Sequence, residues 1–326
     1  VLKVLYPFTF QPIFKERVWG GREIERLYRK KLPPGAVIGE SWEISDRPGD
    51  ASVIANGPRA GKDLRWLMAN HARELLGNAK PASDNHFPLL IKILDARDKL
   101  SLQVHPPAGK AAELKGEPKT EMWFIANAAP DASLYVGLKR GVTRAEFEQK
   151  ISDGSVADCF HRIPVKAGDT MFLPSGRVHA IGDGLVIFEI QQNSDTTYRV
   201  FDWNRVGLDG NPRDLHIAQS LASIDFNDFE PKLVQGEFIG GETKIRPLVN
   251  DPLFNVAAVE MAPGAKTDLK ERTLQIVGVV RGQLEIQSGP TSVTLSAGEF
   301  CLVPASLEKT EVSAKSAVAW LRVDAA

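Results

Sequence analysis

Cysteine is nearly absent from this chain: only Cys159 and Cys301 occur among 326 residues. They lie far apart among apolar neighbours, which excludes a disulfide framework and a zinc knuckle of closely spaced Cys and His. Buried thiols in a reducing cytoplasm are the expectation. No apolar run approaches the ~18 residues of a membrane span. The opening Val1-Leu2-Lys3-Val4-Leu5-Tyr6-Pro7 lacks the apolar core and cleavage site of a signal peptide. An excess of one charge is missing too. Forty Lys and Arg against 41 Asp and Glu leave a formal net charge of −1, so there is no electrostatic footprint for nucleic acid. No P-loop or Rossmann glycine pattern occurs, and a nucleotide is not indicated. What remains is 43% hydrophobic and 25% charged residues, the balance of a soluble globular protein long enough for one large or two ordinary domains.

Strand signals dominate the pattern. Phe87–Leu94, Thr120–Ala126, Gly184–Gln191, Phe254–Met261, Gln275–Val280, Leu284–Gln287 and Val318–Val323 are short, rich in Val, Ile, Leu and Phe, and parted by Gly, Pro, Asn and Asp turns. That pattern predicts sandwiches or barrels. Helices are few. Asp63–Leu76 carries one apolar stripe and stops at Gly77; Thr143-Arg144-Ala145-Glu146 is a capping box whose helix ends near Gly154; a third spans Leu215–Ile224. Acidic residues and Pro231 then suggest an interdomain link. Ala167–Ser175 and Ala297–Ala305 share the order turn, acidic residue, apolar strand, proline. A motif drawn twice implies two jelly-roll β-barrels. The copies diverge after the proline, where the first delivers His179 and the second no histidine at all; none of the six histidines follows His216. The fold expected is therefore all-β dominated with a few short helices, residues 1–228 forming a catalytic barrel and 229–326 a barrel without a metal site.

Four side chains carry the chemistry. Gln103 and His105 sit two apart in Ser101-Leu102-Gln103-Val104-His105-Pro106-Pro107, so a strand would point both to one face. Glu121 lies in Lys119-Thr120-Glu121-Met122-Trp123-Phe124 and His179 in Pro174-Ser175-Gly176-Arg177-Val178-His179. Two imidazoles, one carboxylate and one amide oxygen from three strands make a site for a divalent ion. Among the other histidines, His71 falls on an apolar helix stripe and reads as packed core, His86 follows a turn and reads as exposed, and His161 and His216 have no partnered motif. Ser101, Lys119, Glu189 and Gln191 alternate onto inward faces, where polar groups are costly unless they meet one another, water or a ligand. Arg199 and Arg205 follow in Ser194-Asp195-Thr196-Thr197-Tyr198-Arg199-Val200-Phe201-Asp202-Trp203-Asn204-Arg205. They either form a fork for a phosphate or pair with Asp195, Asp202 or Asp209 at the surface.

These segments resemble the type I phosphomannose isomerases in their short bacterial form. The likeness is strong at Ser101–Pro106, Lys119–Phe124 and Pro174–Arg199, and looser at Lys15–Gly21, Gly39–Glu43 and the second barrel. It implies a double cupin with one zinc site held by Gln103, His105, Glu121 and His179. It implies that Arg199 is catalytic, with Lys119 beside it, and that Arg205 stands where the family has a phosphate-binding lysine. Ser101, Glu189, Asp195, Trp19 and Glu40 become candidates for the substrate pocket. The implied reaction interconverts mannose 6-phosphate and fructose 6-phosphate through a cis-enediol, in a cytoplasmic monomer or homodimer whose partner is the phosphosugar. The general base stays open among Lys119, a metal-bound water, Glu189, Glu40 and Asp195. Two other readings stay open: a non-haem iron oxygenase built on the triad His105, Glu121 and His179, and a catalytically silent sugar-phosphate-binding cupin.

Overall fold

The computed structural model describes residues 5–326, so Val1–Val4 of the segment read for a leader lie outside it. No helix among the described residues is long and apolar enough to cross a membrane. Strands form where alternation and β-branched content require them. Phe254–Met261 has the expected bounds, and the other six expected strands are shifted or extended by one or two residues. The helix Leu64–Leu76 starts on Asp63, whose side chain accepts from the Trp66 N–H at 2.7 Å, and ends at Gly77. Thr143 caps Arg144–Asp153 by accepting from the Glu146 N–H at 3.2 Å. The third expected helix is shorter, Ile217–Ser223.

The strands make two pairs of antiparallel sheets. A six-stranded sheet, in spatial order Ile13–Gly21, Ile38–Ile44, Leu89–Ala96, Leu185–Gln192, Glu121–Ala128 and Thr170–Leu173, faces a five-stranded one that holds Leu102–Val104, His179–Ile181 and Tyr198–Phe201. After residue 238 a second six-stranded sheet faces a four-stranded one. Each pair is a jelly-roll of two facing sheets. The repeated motif falls at the same place in both copies: Thr170–Leu173 and Phe300–Val303 are each the outermost strand of their six-stranded sheet. Gly168 and Gly298 turn the chain into them with φ of +91° and +80°, a conformation that glycine adopts without strain.

Alternation splits each six-stranded sheet between two cores. In Leu185–Gln192 the outward Val186, Phe188 and Ile190 join Ile91, Ile93, Met122 and Phe124. That outer layer packs with Leu64, Leu67 and Leu75 of the helix and with Val256, Ile276, Leu321 and Val323 of the second six-stranded sheet, in one continuous core. The inward Leu185 and Ile187 pack with Leu94, Ile125, Leu134 and Ile181 to fill one end of the first jelly-roll. At the other end the same inner face carries Lys92, Glu189, Gln191 and Glu121, all buried. The interior of the second jelly-roll is mostly apolar, with the Trp320 indole N–H pointing at Met261 Sδ 3.3 Å away and one buried polar pair, Gln275 Nε2 donating to Asp324 Oδ1 at 2.6 Å. Cys159 and Cys301 are buried and unpaired.

One close approach sets the cavity rim. Ile13–Gly21 and Ile38–Ile44 cross so tightly that a Cβ on Gly39 would sit 2.5 Å from Arg17 Cβ and 2.8 Å from Trp19 Cζ3. Gly39→Ala must therefore displace both side chains. The expected cost is about 1–3 kcal/mol of overpacking in urea unfolding; a loss below about 0.5 kcal/mol would show slack at this crossing.

Candidate metal centre

Two rows of side chains face each other at the open end of the first jelly-roll. In the five-stranded sheet Gln103 lies directly between Arg199 and His179 on neighbouring strands. In the six-stranded sheet Lys92, Glu189 and Trp123 are successive cross-strand partners, with Glu121 opposite Gln191 one step along. His105 Nε2 is 3.6 Å from Glu121 Oε2 and His179 Nε2 is 3.4 Å from Glu121 Oε1. Ligand atoms of these three residues all lie within 4.8 Å of one another. The imidazoles are oriented from behind: His105 Nδ1 donates to Thr196 O at 2.8 Å and His179 Nδ1 to Arg177 O at 2.9 Å. Each Nε2 lone pair is thereby aimed at the centre, the arrangement common behind metal-bound histidines.

The donor set fits a divalent cation. His105 Nε2 and both Glu121 carboxylate oxygens are buried with no hydrogen-bond donor, although such groups ordinarily find one. Burial and the nearby Lys119 push His105 down to about 3, and burial lowers His179 as well, so both rings are neutral ligands. Burial alone would raise Glu121; the Lys119 ammonium outweighs it and holds the carboxylate well below its usual range. Gln103 Nε2 lies 3.3 Å from His179 Nε2, and a half-turn of the amide would present its oxygen instead. Two neutral nitrogens, a carboxylate and an amide oxygen are borderline ligands that suit zinc.

A cavity of about 410 Å³ opens beside this centre, within the range of small-molecule sites. Its wall includes Trp19, Glu40, Ser101, Gln103, Lys119, Glu189, Asp195 and Arg199, all expected from the sequence. Ser101 Oγ donates to Gln103 Oε1 at 3.3 Å and Lys119 Nζ is 3.2 Å from Glu121 Oε2. Arg199 donates from Nη1 to Asp214 O at 2.6 Å, while its Nε is buried without a partner. The ring of His216, which no motif had partnered, accepts the Arg199 backbone N–H at 3.2 Å.

Arg205 is the exception. Its guanidinium is held by Asp202 at 2.9 Å, by Asp98 at 3.3 Å and by the Lys99 carbonyl, and it does not line the cavity. The alternative of pairing with Asp202 describes it, although both side chains are largely buried rather than at the surface. The loop turns back on itself through a bridge between Val206 and Pro212 and brings Arg213 to the wall instead. Arg213 is braced from behind by Asp202 at 2.7 and 2.5 Å.

Sequence reasoning missed Lys92, Arg17 and Arg213. Only Lys92 left a signal, as a lone lysine inside an apolar strand. Its Nζ lies 3.3 Å from Glu189 Oε2 and 3.6 Å from Glu40 Oε2. Arg17 Nε donates to Glu40 Oε1 at 2.8 Å and the Trp42 indole N–H to Glu40 Oε2 at 2.6 Å. Two other histidines differ from expectation. His71 is half-buried against Trp66, and His86 is half-buried with Nδ1 3.1 Å from Asp46 Oδ2.

Residues 8–137 match the family model described as phosphomannose isomerase type I, catalytic domain. The chain is 37% identical over 306 residues to a mannose-6-phosphate isomerase of Streptococcus mutans, covering 93% of each. It is 33% identical over 307 residues to mannose-6-phosphate isomerase ManA of Bacillus subtilis, covering 92% of this chain and 94% of that one. The crystal structure of the mannose 6-phosphate isomerase from Bacillus subtilis superposes with a TM-score of 0.88 at 28% identity, over 98% of this chain and 99% of that one.

The cavity wall predicts an acid response. Burial would raise the Glu40 carboxyl, but Lys92 and Arg17 overcome it and hold its pKa down at about 2. A depressed carboxylate stabilises the fold fully above its unfolded pKa, and that stability is lost as pH falls towards the folded value. Between about pH 4.5 and 2, wild type is therefore expected to lose up to about 3 kcal/mol that Glu40→Gln does not lose. Urea unfolding at stepped pH measures the difference, and parallel curves for the two proteins would refute it.

Proposed function

The chain belongs to the type I phosphomannose isomerases, an aldose–ketose isomerase family, and from that premise we propose that it interconverts mannose 6-phosphate and fructose 6-phosphate through a cis-enediol. The observation that carries this reading is the convergence of His105, Glu121 and His179 at the edge of a cavity walled by arginine and lysine. We propose that residues 1–228 perform the reaction, that 229–326 hold no metal, and that the enzyme works in the cytoplasm as a monomer or homodimer. His105, Glu121, His179 and the turned amide of Gln103 would hold one Zn²⁺. When bound there, a zinc ion supplies Lewis acidity to a sugar oxygen on which charge develops.

The remaining work falls to the side chains. The proton on C2 leaves to a base, its electron pair forms the C1–C2 double bond, and the carbonyl pair moves to O1, which takes a proton. Loss of the O2 proton then re-forms a carbonyl at C2, and the double-bond pair takes a proton at C1. We assign this transfer to Glu189. It lines the cavity, and burial raises its pKa, towards the operating pH where a general base is most effective. Glu40, held low by the charges of Lys92 and Arg17 and by the Trp42 N–H, is a poor base and a good anchor for Lys92. Lys92 and Lys119 border the reacting end and offset charge on O1 and O2. Arg199 and Arg213 stand together on the wall and suit the phosphate, whose capture orients the carbons that react. Arg205 braces Asp202, and through it Arg213. Gln103 as a fourth donor and this cationic wall disfavour the oxygenase reading.

A coupled assay with mannose 6-phosphate, glucose 6-phosphate and free mannose, with and without added zinc, tests the proposal. Turnover of mannose 6-phosphate is expected to disappear with a chelator and return with Zn²⁺. Glu121→Ala is expected to bind no zinc by mass spectrometry; normal turnover without bound metal would sink the assignment. Arg213→Ala is expected to raise KM for mannose 6-phosphate about tenfold or more while Arg205→Ala changes it less. A rise of equal size for free mannose would remove Arg213 from the phosphate.

A further inference from the structure

On the cavity floor the six-stranded sheet places four side chains in one transverse row. Trp42 is the cross-strand partner of Lys92, Lys92 of Glu189, and Glu189 of Trp123. The Lys92 ammonium lies 5.2 Å from the centre of the Trp42 ring and 3.3 Å from Glu189 Oε2. On the far side the Trp123 indole N–H donates to Glu189 Oε1 at 3.0 Å. Each oxygen of Glu189 thus has one fixed partner, and the carboxylate plane is set by two groups on the strands either side of it.

Trp123 itself cannot move. It is 1% exposed, packed with Ile125, Met171 and Ile187, and its ring meets His179 edge-on at 5.3 Å and 84°. An indole is a donor without an acceptor, so it can hold a carboxylate without competing for the proton that the carboxylate carries. Phenylalanine would fill much of the same space and pack on His179, but it would leave Glu189 Oε1 without this donor. The indole therefore differs from a phenyl ring there in two ways, volume and the N–H, and only the N–H reaches Glu189.

We infer that Trp123 is a positioning residue for the isomerase reaction, its indole N–H fixing the Glu189 carboxylate at the angle from which it meets the sugar's C1 and C2. This rests on the function proposed above. A carboxylate that swings by tens of degrees loses the near-attack alignment on which proton transfer depends. Trp123 does not line the cavity, so its loss should act on turnover and spare binding.

The test compares three replacements at position 123 in the zinc-loaded full chain: Phe, 5-fluorotryptophan, and β-(3-benzothienyl)alanine, which keeps the bicyclic shape but lacks the N–H. With Trp123→Phe and with the benzothienyl analogue, kcat for mannose 6-phosphate is expected to fall about 10- to 100-fold, the worth of one hydrogen bond to a charged group. KM is expected to stay within twofold and zinc at its wild-type level. The fluorinated indole, which keeps the N–H, is expected to retain wild-type kcat. If the benzothienyl protein turns over at the wild-type rate, or if the fluoroindole protein fails equally, the N–H has no such role and the inference falls. Wild-type turnover assayed alongside separates the two levels. Its absence would overturn the proposed function as well, whereas its presence with an unaffected benzothienyl protein would overturn only the role of Trp123. Should the Phe variant prove unstable, the two analogues, matched in volume to tryptophan, still decide the matter.

Discussion

A carboxylate with no accessible surface and no hydrogen-bond donor must be balanced by positive charge, and Glu121 is such a group. Its surroundings follow from that need. Lys119 supplies one cation at 3.2 Å, and two imidazoles turned by backbone carbonyls leave room for another between their lone pairs. Around it positive and negative groups alternate across the sheet: Arg17 against Glu40, Glu40 against Lys92, Lys92 against Glu189. A buried charge without its neighbour would cost several kcal/mol, so each member of the row stabilises the next. The chain of pairs is the reason the open end of the jelly-roll holds its shape, and it puts alternating charge on the cavity wall.

Much of this was legible in the sequence because strand periodicity is local. Gln103 and His105 had to share a face, and the strands bearing Glu121 and Glu189 announced themselves by their apolar runs. The repeated turn–strand–proline motif fixed both the number of jelly-rolls and which one carries a histidine after it. The pairing between strands is not local. Lys92 looked like an isolated lysine until the register set it between Trp42 and Glu189. Trp123 looked like one more apolar residue until the same register put its N–H on a carboxylate.

The arginine loop was less legible for a related reason. The family resemblance put Arg205, six residues after Arg199, at the phosphate, but the hairpin closing through Val206 and Pro212 reverses the path and brings Arg213 to the cavity wall. Asp202 then decides which guanidinium is a brace and which is presented, since it bonds both. Helix ends were read well because caps act within three residues, as at Asp63 and Thr143. The shortened third helix lies beside this same loop.

The continuous core between the two six-stranded sheets ties the charged row of the first jelly-roll to the second. Ile91 and Ile93 flank Lys92 in sequence and point the opposite way, as do Phe188 and Ile190 around Glu189. Those four side chains are seated against a layer that includes the second sheet's Val256, Ile276, Leu321 and Val323. The second jelly-roll is therefore the backing plate of the charged row: cut away, it would leave the strands that carry Lys92 and Glu189 with an oily flank open to water and nothing to register against.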